Sequence, residues 1–248
     1  MIRAFLIAAQ FLTALPIHLE PAPGEQEIGR SFSYYPLVGL LLGMVLAGGG
    51  WLLASAAPML VAALLVLVWT ALTGALHLDG LADCVDAWVG GRGDRERTLA
   101  IMKDPYCGPM GVAAVVMVLL LKFAALTVLC GNRAFLLLAV APVVGRATVQ
   151  LLFLTTPYVR PAGLGAAMAA HMKRGEIILI LIIVCGGVLL AAAYAGLWAL
   201  IGAGGAFLLF RRSMLIHIGG TTGDTAGALV EISEASVLTA ICLVSHIR

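Results

Sequence analysis

Long apolar segments, each near the length needed to cross a lipid bilayer, constrain this chain more than any other feature. The hydrocarbon core of a bilayer is roughly 30 Å thick, and about 20 helical residues cross it. The predicted spanning helices are 37–57, 59–76, 109–130, 134–154, 176–195, 197–212 and 225–246. Only 11% of the residues are charged, whereas a soluble domain is usually about a quarter charged. The predicted fold is therefore all-α, a polytopic membrane helical bundle of about seven spanning helices that forms one domain over 1–248.

A further apolar segment occupies residues 1–16, beginning with Arg3 and an apolar run and ending at Pro16. It resembles a signal peptide, but no small-residue cleavage site follows closely. We therefore expect a retained N-terminal apolar helix, which is either interfacial or inserted in the bilayer.

The polar segments 17–36, 77–108, 155–175 and 213–224 would all lie on one side of the membrane if the helices alternate in direction. These segments and their borders carry most of the basic residues, whereas the opposite connections contain only Arg133. Basic residues near the ends of spanning helices are retained on the cytoplasmic side. We therefore expect the polar segments, including a catalytic loop at 77–108, to face the cytoplasm. A net charge of +2 is too small to indicate a nucleic-acid partner.

The aspartates are concentrated in one part of the chain, with five of the six between positions 79 and 104. Asp79, Asp83 and Asp86 stand at i, i+4 and i+7, which places them on one face of a helix. Carboxylates at this spacing repel one another, and no basic residue lies among them. Mg²⁺ would offset the repulsion and keep positions open for substrate phosphates. The alternative is a solvated helix face, which would be expected to carry charges of both signs.

Asp104 precedes Pro105, which disfavours helical geometry at the aspartate. It is therefore expected at the C-terminal end of a helix over 95–103, where the helix dipole is unfavourable for a carboxylate. A metal or a substrate would explain this position, and the adjacent Lys103 is suited to contact phosphate as a point charge. Asp94 is predicted instead to be the N-cap of the same helix.

A second polar string, Gly219–Asp224, stands at a loop-to-helix junction, where backbone N–H groups can bind an anion. Asp224 shares a helix face with Glu231, and intramembrane carboxylates usually face a cavity or a partner. The alternative for Asp224 is a simple N-cap. Arg146, in the middle of an apolar segment, is expected to face the bundle interior and either pair with Glu231 or bind substrate. Lys122 is expected to extend towards the far membrane surface.

The strings His77–Asp86, Ile101–Asp104 and Gly219–Asp224 together resemble the cobalamin synthase family, the adenosylcobinamide-GDP ribazoletransferases. The likeness covers nearly the whole chain, and further matching strings are 11–16, 35–39, 141–146 and 227–228. One departure follows Asp104, where the family more often has a serine and this chain has Pro105. This chain therefore has no side-chain hydroxyl at position 105.

The resemblance implies that a ribose hydroxyl of α-ribazole, or of its 5′-phosphate, attacks the cobinamide-linked phosphoryl of adenosylcobinamide-GDP. GMP leaves, and the nucleotide loop of cobalamin is complete. On this interpretation Asp79, Asp83 and Asp104 hold Mg²⁺, and the catalytic residue that accepts the hydroxyl proton is Asp86 or Asp224. The residues expected to contact substrate are His77, Lys103, Arg146 and Glu231.

The expected partners are these two substrates and the lipid bilayer of a bacterial or archaeal inner membrane, and a homo-oligomer is left open. Two other functions are alternatives to this transferase activity. A CDP-alcohol phosphotransferase would have arginine where Asp83 follows Ala82. A divalent-cation transporter would place its carboxylates near the membrane midplane rather than between spanning helices. Release of GMP, of CMP or of neither product distinguishes the three functions.

Overall fold

Helices form nearly all of the regular structure in the computed structural model, which describes residues 1–245. Two short 3-10 helices, Phe32–Tyr34 and Phe135–Ala139, lead directly into the α-helices that begin at Tyr35 and Val140. The α-helices within the described residues are α1 (Ile2–Leu12), α2 (Glu25–Ser31), α3 (Tyr35–Leu52), α4 (Pro58–Thr73), α5 (Leu76–Gly91), α6 (Arg95–Ile101), α7 (Pro109–Gly131), α8 (Val140–Thr155), α9 (Leu164–His171), α10 (Arg174–Ile218) and α11 (Gly223–Ser245).

Five helical segments of the described chain are long and apolar enough to cross a membrane, and the bent pair α4–α5 makes a sixth if it counts as one span. The five segments are Glu25–Leu52, Pro109–Gly131, Phe135–Thr155, Arg174–Ile218 and Gly223–Val244. This confirms the predicted all-α polytopic fold. The predicted helix 225–246 is described as far as Ser245, and position 246 lies outside the described residues.

Helix α10 corresponds to two predicted helices, 176–195 and 197–212, and a break at Ala193 (φ 44°, ψ −118°) separates them. Both ends of α10 contact the end of α8: the Arg174 side chain donates to the Leu154 carbonyl (2.8 Å) and the Arg211 side chain to the Thr155 carbonyl (2.6 Å). A straight helix would separate positions 174 and 211 by roughly 55 Å. The chain therefore folds back at Ala193 into two antiparallel arms, as the two predicted helices require.

The polar segment 77–108 between the spanning helices is mostly helical and forms α5 and α6, which confirms the helices predicted around Asp79–Asp86 and over 95–103. Gly74 and Ala75 both adopt left-handed backbone angles (φ 59° and 56°), and α5 leaves α4 at an angle of 87°. The small and apolar face of α5, including Leu81 and Cys84, is buried against neighbouring helices. This burial holds the aspartate-bearing segment inside the bundle rather than in a solvated connection.

Helix α1 has 11 residues and is therefore about 16 Å long, roughly half of the hydrocarbon thickness. It is fixed beside α2 by an ion pair between Arg3 and Glu27 (2.9 Å). The chain that follows it is tied to the end of α4, where the Ala14 amide donates to the Leu72 carbonyl (2.7 Å). Helix α1 is too short to span the bilayer by itself, which favours the interfacial alternative.

A layer of buried charge separates two apolar clusters in the core. One cluster includes Val144 of α8 and Val237 of α11, and the other includes Val149 of α8 and Val230 of α11. The charged layer lies between these positions on each helix. The charged residues between the clusters are Lys122, Arg146, Glu231 and Glu234. The candidate site lies at the end of the bundle that holds Val149 and Val230.

Candidate active site

The two motif strings meet where α5 packs against α11. A Cβ atom added at Gly80 would lie 2.7 Å from the Asp224 carbonyl oxygen and 3.1 Å from its Cα, and one at Gly227 would lie 3.4 Å from the His77 Cα. Only glycine permits so close an approach at Gly80. Because consecutive Cα atoms are about 3.8 Å apart, the backbones of Asp79 and Asp224 lie within about 9 Å of each other. The structure therefore brings together Asp79 and Asp224, which the family resemblance assigns to the same reaction.

Thr222 caps helix α11, so the interpretation of Asp224 as its N-cap is wrong. The Thr225 amide donates to Thr222 Oγ1 (3.2 Å), and the Thr222 amide donates to Thr225 Oγ1 (2.8 Å). Asp224 stands in the first turn, and its carboxylate accepts a hydrogen bond from Arg160 Nη2 (2.6 Å). Asp224 therefore does not cap the helix, and it lines the cavity.

The glycine-rich string before α11 holds a loop of the chain in place. The Thr221 amide donates to the Pro157 carbonyl (2.9 Å), and the Val159 amide donates to the Thr221 carbonyl (3.0 Å). A side chain at Gly220 would overlap the Pro157 carbonyl, which explains the glycine there. This bridge fixes the loop that carries Arg160.

A cavity of about 310 Å³ opens between α1, α3, α5, α8, α9 and α11. Much of its wall is apolar, and it includes four aromatic residues, Phe11, Tyr35, Phe153 and Tyr158. Burial raises the pKa of the Tyr158 phenol, so this hydroxyl stays protonated near neutral pH. The ionisable lining residues besides the tyrosines are His77, Asp79, Arg146, Arg160 and Asp224.

Several buried donors that belong to cavity-lining residues have no hydrogen-bond acceptor within residues 1–245. They are Nε and Nη2 of Arg146, Nε of Arg160 and Nδ1 of His77, whose donor role depends on the ring tautomer. Arg146 is 0% exposed. A buried polar group without a partner costs about 1–3 kcal/mol, and a charged group costs more. An anionic ligand in the cavity would satisfy these groups.

Arg146 is held by a buried network of four charges. Its Nη1 pairs with Glu234, which also accepts from Lys122 Nζ (2.5 Å); Lys122 Nζ in turn pairs with Glu231 (2.7 Å). The partner of Arg146 is thus Glu234, and the predicted pairing with Glu231 is wrong. Lys122 does not extend to the membrane surface: it is 3% exposed, and its ammonium lies 4.3 Å from the Trp69 ring centroid. Glu231 faces this network and is absent from the cavity lining.

The clustered aspartates have different surroundings. Both oxygens of Asp86 accept backbone hydrogen bonds, from Gly108 (2.6 Å) and Gly111 (2.9 Å) at the start of α7. Asp79 is exposed and Asp83 is partly exposed. In the part of the chain that the structure describes, neither of these two side chains has a hydrogen-bond or ion-pair partner. The carboxylate oxygens of Asp79 and Asp83 are therefore unpaired, whereas both oxygens of Asp86 accept backbone amides.

Asp104 and Lys103 lie in an exposed turn outside the cavity lining. Asp104 Oδ1 accepts from the Tyr106 amide (3.0 Å). Across residues 1–245, no three His, Cys, Asp or Glu side chains are grouped closely enough to hold a metal ion. Mg²⁺ is, however, usually bound through one or two carboxylates together with substrate phosphates and water. Asp79 and Asp83 fit that smaller ligand set.

The predicted N-cap Asp94 is confirmed, because its Oδ1 accepts from the Glu96 (2.9 Å) and Arg97 (3.1 Å) amides. The sequence does not predict Arg160 as a site residue, because it lies in an irregular segment without a motif. Glu234, three residues after Glu231, is a second carboxylate in an apolar helix and is predicted, like Glu231, to face a cavity or a partner. Its pairing with Arg146 and Lys122 confirms that prediction.

Comparison with known proteins agrees with the resemblance of the motif strings. The cobalamin-5-phosphate synthase family model matches residues 4–242. The adenosylcobinamide-GDP ribazoletransferase of Stutzerimonas stutzeri is 55% identical over 238 residues, which cover 96% of this chain and 97% of the relative. The protein of the same name from Pseudomonas aeruginosa strain PAO1 is 52% identical over 242 residues, covering 98% of both chains. No solved structure matches.

The family match spans almost the whole chain and includes every helix that lines the cavity. The relatives are also matched over nearly their full length. The chain therefore belongs to the cobalamin-5-phosphate synthase family.

Proposed function

We propose that this chain joins adenosylcobinamide-GDP to α-ribazole or its 5′-phosphate and releases GMP, as the names of its relatives indicate for those proteins. The observation that carries the proposal is one cavity in which Asp79 and Asp224 lie beside the unpaired guanidinium donors of Arg146 and Arg160. Phosphoryl transfer depends mostly on positioning and on charge stabilisation, and this cavity offers both.

In the proposed reaction a ribose hydroxyl oxygen forms a bond to the cobinamide-linked phosphorus. The bond between that phosphorus and the bridging oxygen breaks, and GMP leaves with the electron pair. Asp224 is our choice for the group that accepts the hydroxyl proton, because Asp224 lines the cavity and Asp86 does not. The Arg160 side chain orients the Asp224 carboxylate through its 2.6 Å hydrogen bond.

We propose that Asp79 and Asp83 hold Mg²⁺, which when bound supplies charge neutralisation at the diphosphate. The free oxygens of both carboxylates and their position one helical turn apart support this assignment. Arg146 and Arg160 would bind the phosphate of whichever substrate enters the cavity through their unpaired N–H groups, with His77 beside them. Asp104 and Lys103 are left out of the proposed site because they lie in an exposed turn rather than on α5, and Glu231 is left out because it is paired with Lys122 in the buried network.

The proposed location is a bacterial or archaeal inner membrane with the cavity facing the cytoplasm. The excess of basic residues on the polar connections supports this orientation. Homo-oligomers are not needed for the proposed chemistry, since all proposed residues belong to one chain.

The test is to incubate the purified protein with adenosylcobinamide-GDP, α-ribazole 5′-phosphate and Mg²⁺, and to separate the products. The expected products are adenosylcobalamin 5′-phosphate and GMP in equal amounts. Absence of both products, with intact protein in lipid, would contradict the proposal. Dependence on Mg²⁺ is measured in the same assay with a chelator, and full turnover in excess chelator would contradict the metal assignment alone.

A further inference from the structure

The cavity is much smaller than one of the two proposed substrates. Its volume of about 310 Å³ is at the lower end of small-molecule sites, which range from roughly 300 to 1,000 Å³. The corrinoid donor carries a macrocycle, its amide side chains, an adenosyl group and a guanosine diphosphate. Ribazole is one bicyclic base on one ribose. Only the ribazole acceptor matches the enclosed volume.

The wall of the cavity is suited to a flat apolar base. The Phe11 and Tyr35 rings are stacked with centroids 6.3 Å apart, and those of Phe153 and Tyr158 are 5.6 Å apart. Met168 adds a flexible apolar surface. Aromatic faces of this kind stack on bases without reading their edges. A guanine edge carries N–H donors and a carbonyl, which these rings could not satisfy, whereas the dimethylbenzimidazole of ribazole has no N–H group.

The charged part of the cavity is suited to the other end of the same substrate. Arg146 has two unpaired nitrogens and is 0% exposed, and Arg160 has one unpaired nitrogen. Guanidinium groups bind phosphate oxygens in pairs, so they match the 5′-phosphate of the acceptor. Asp224 lies in the same cavity, where a ribose hydroxyl would lose its proton.

We infer that this cavity is the acceptor site: it takes the ribazole nucleotide, with its base against the aromatic wall and its phosphate on the arginines. The corrin ring of the donor stays outside, and only its diphosphate reaches the carboxylates. This inference rests on the proposed function. It adds Phe153 and the stacked Phe11–Tyr35 pair as residues that determine specificity for the acceptor.

The test compares KM for each substrate in purified protein that carries Phe153→Leu. Leucine retains apolar bulk and removes the aromatic face. We expect the KM for α-ribazole 5′-phosphate to rise by about tenfold, the scale set by loss of one stacking partner, and the KM for adenosylcobinamide-GDP to stay the same. The matched control is Phe135→Leu, because Phe135 is buried in the other apolar cluster; it should change neither KM. A rise in the donor KM instead would overturn the inference.

A binding measurement on the unmodified protein keeps the inference testable if Phe153→Leu does not fold. Calorimetry with α-ribazole 5′-phosphate alone should give saturable binding, and added GMP should not compete. Competition by GMP, or binding of the acceptor only after the donor is present, would overturn the inference. Failure of the proposed function is recognised separately, because the unmodified protein would then form no product from the complete substrate mixture.

Discussion

Asp83 and Asp86 are one helical turn apart on α5, yet their carboxylates have different surroundings. Asp86 accepts two amide hydrogens from the start of α7, as a capping residue does. Asp83 has no such partner in the described residues and lies on the face shared with Asp79. Adjacent carboxylates of one sequence motif are therefore expected to have separate roles, one in catalysis and one in structure.

We predict that Asp83→Asn lowers kcat by at least about 100-fold, the usual effect of removing one stabilising group from a transition state, with little change in thermal stability. Asp86→Asn should instead lower the free energy of unfolding by about 1–2 kcal/mol, because an amide nitrogen would face a backbone N–H donor. Turnover and melting temperature of both variants check the prediction. An Asp83→Asn enzyme with normal kcat at limiting Mg²⁺ would contradict it.

The buried network gives a second prediction at this scale. Lys122→Met or Glu231→Gln alone leaves an unbalanced charge, and breaking a buried pair costs about 3–5 kcal/mol. The double variant restores neutrality, so we expect it to lose clearly less stability than the sum of the two single losses. Thermal or denaturant unfolding of all three variants in the same lipid measures this coupling. Strictly additive losses would show that the charges act independently.

Among the elements, the spanning helices could be predicted from apolar length alone, and their ends agree within a few residues for α4, α7 and the span Phe135–Thr155. The bend between α4 and α5 could not be predicted from the sequence, because Gly74 and Ala75 resemble any other pair of small residues in an apolar segment. Only the packing of α5 against α11 selects their left-handed conformation. Within the site, Asp79 and Asp224 could be located by spacing, whereas Arg160 depends on a bridge between distant segments.

At the break in α10 we predict that Ala193→Gly stabilises the protein by about 1 kcal/mol. The backbone angles of Ala193 (φ 44°, ψ −118°) favour glycine, and a residue held in such a region costs about 1–3 kcal/mol. The control is Ala192→Gly, which stands in helical conformation and should lose up to about 1 kcal/mol. Melting temperatures compare the two. Equal destabilisation by both variants would mean that the break is not strained.

For the molecule as a whole we predict that the cavity end of the bundle faces the cytoplasm. With the five native cysteines replaced, a cysteine at Glu96 should resist an impermeant thiol reagent in intact cells, and one at Asn132 should react. Both positions are exposed, so accessibility reports the side of the membrane rather than burial. Permeabilised cells, in which both should react, are the control. The reverse labelling pattern would refute the orientation.

The charged layer between the two apolar clusters also bears on how the chain is made. Lys122 and Arg146 belong to helices that leave the ribosome before α11, and α11 carries both glutamates that balance them. An uncompensated cation within the hydrocarbon is costly. Until synthesis reaches α11, the nascent bundle therefore holds two unmatched positive charges. A chain that stops before Gly223 should keep both charges unmatched, and we expect it to be less stable in the membrane than one that includes α11.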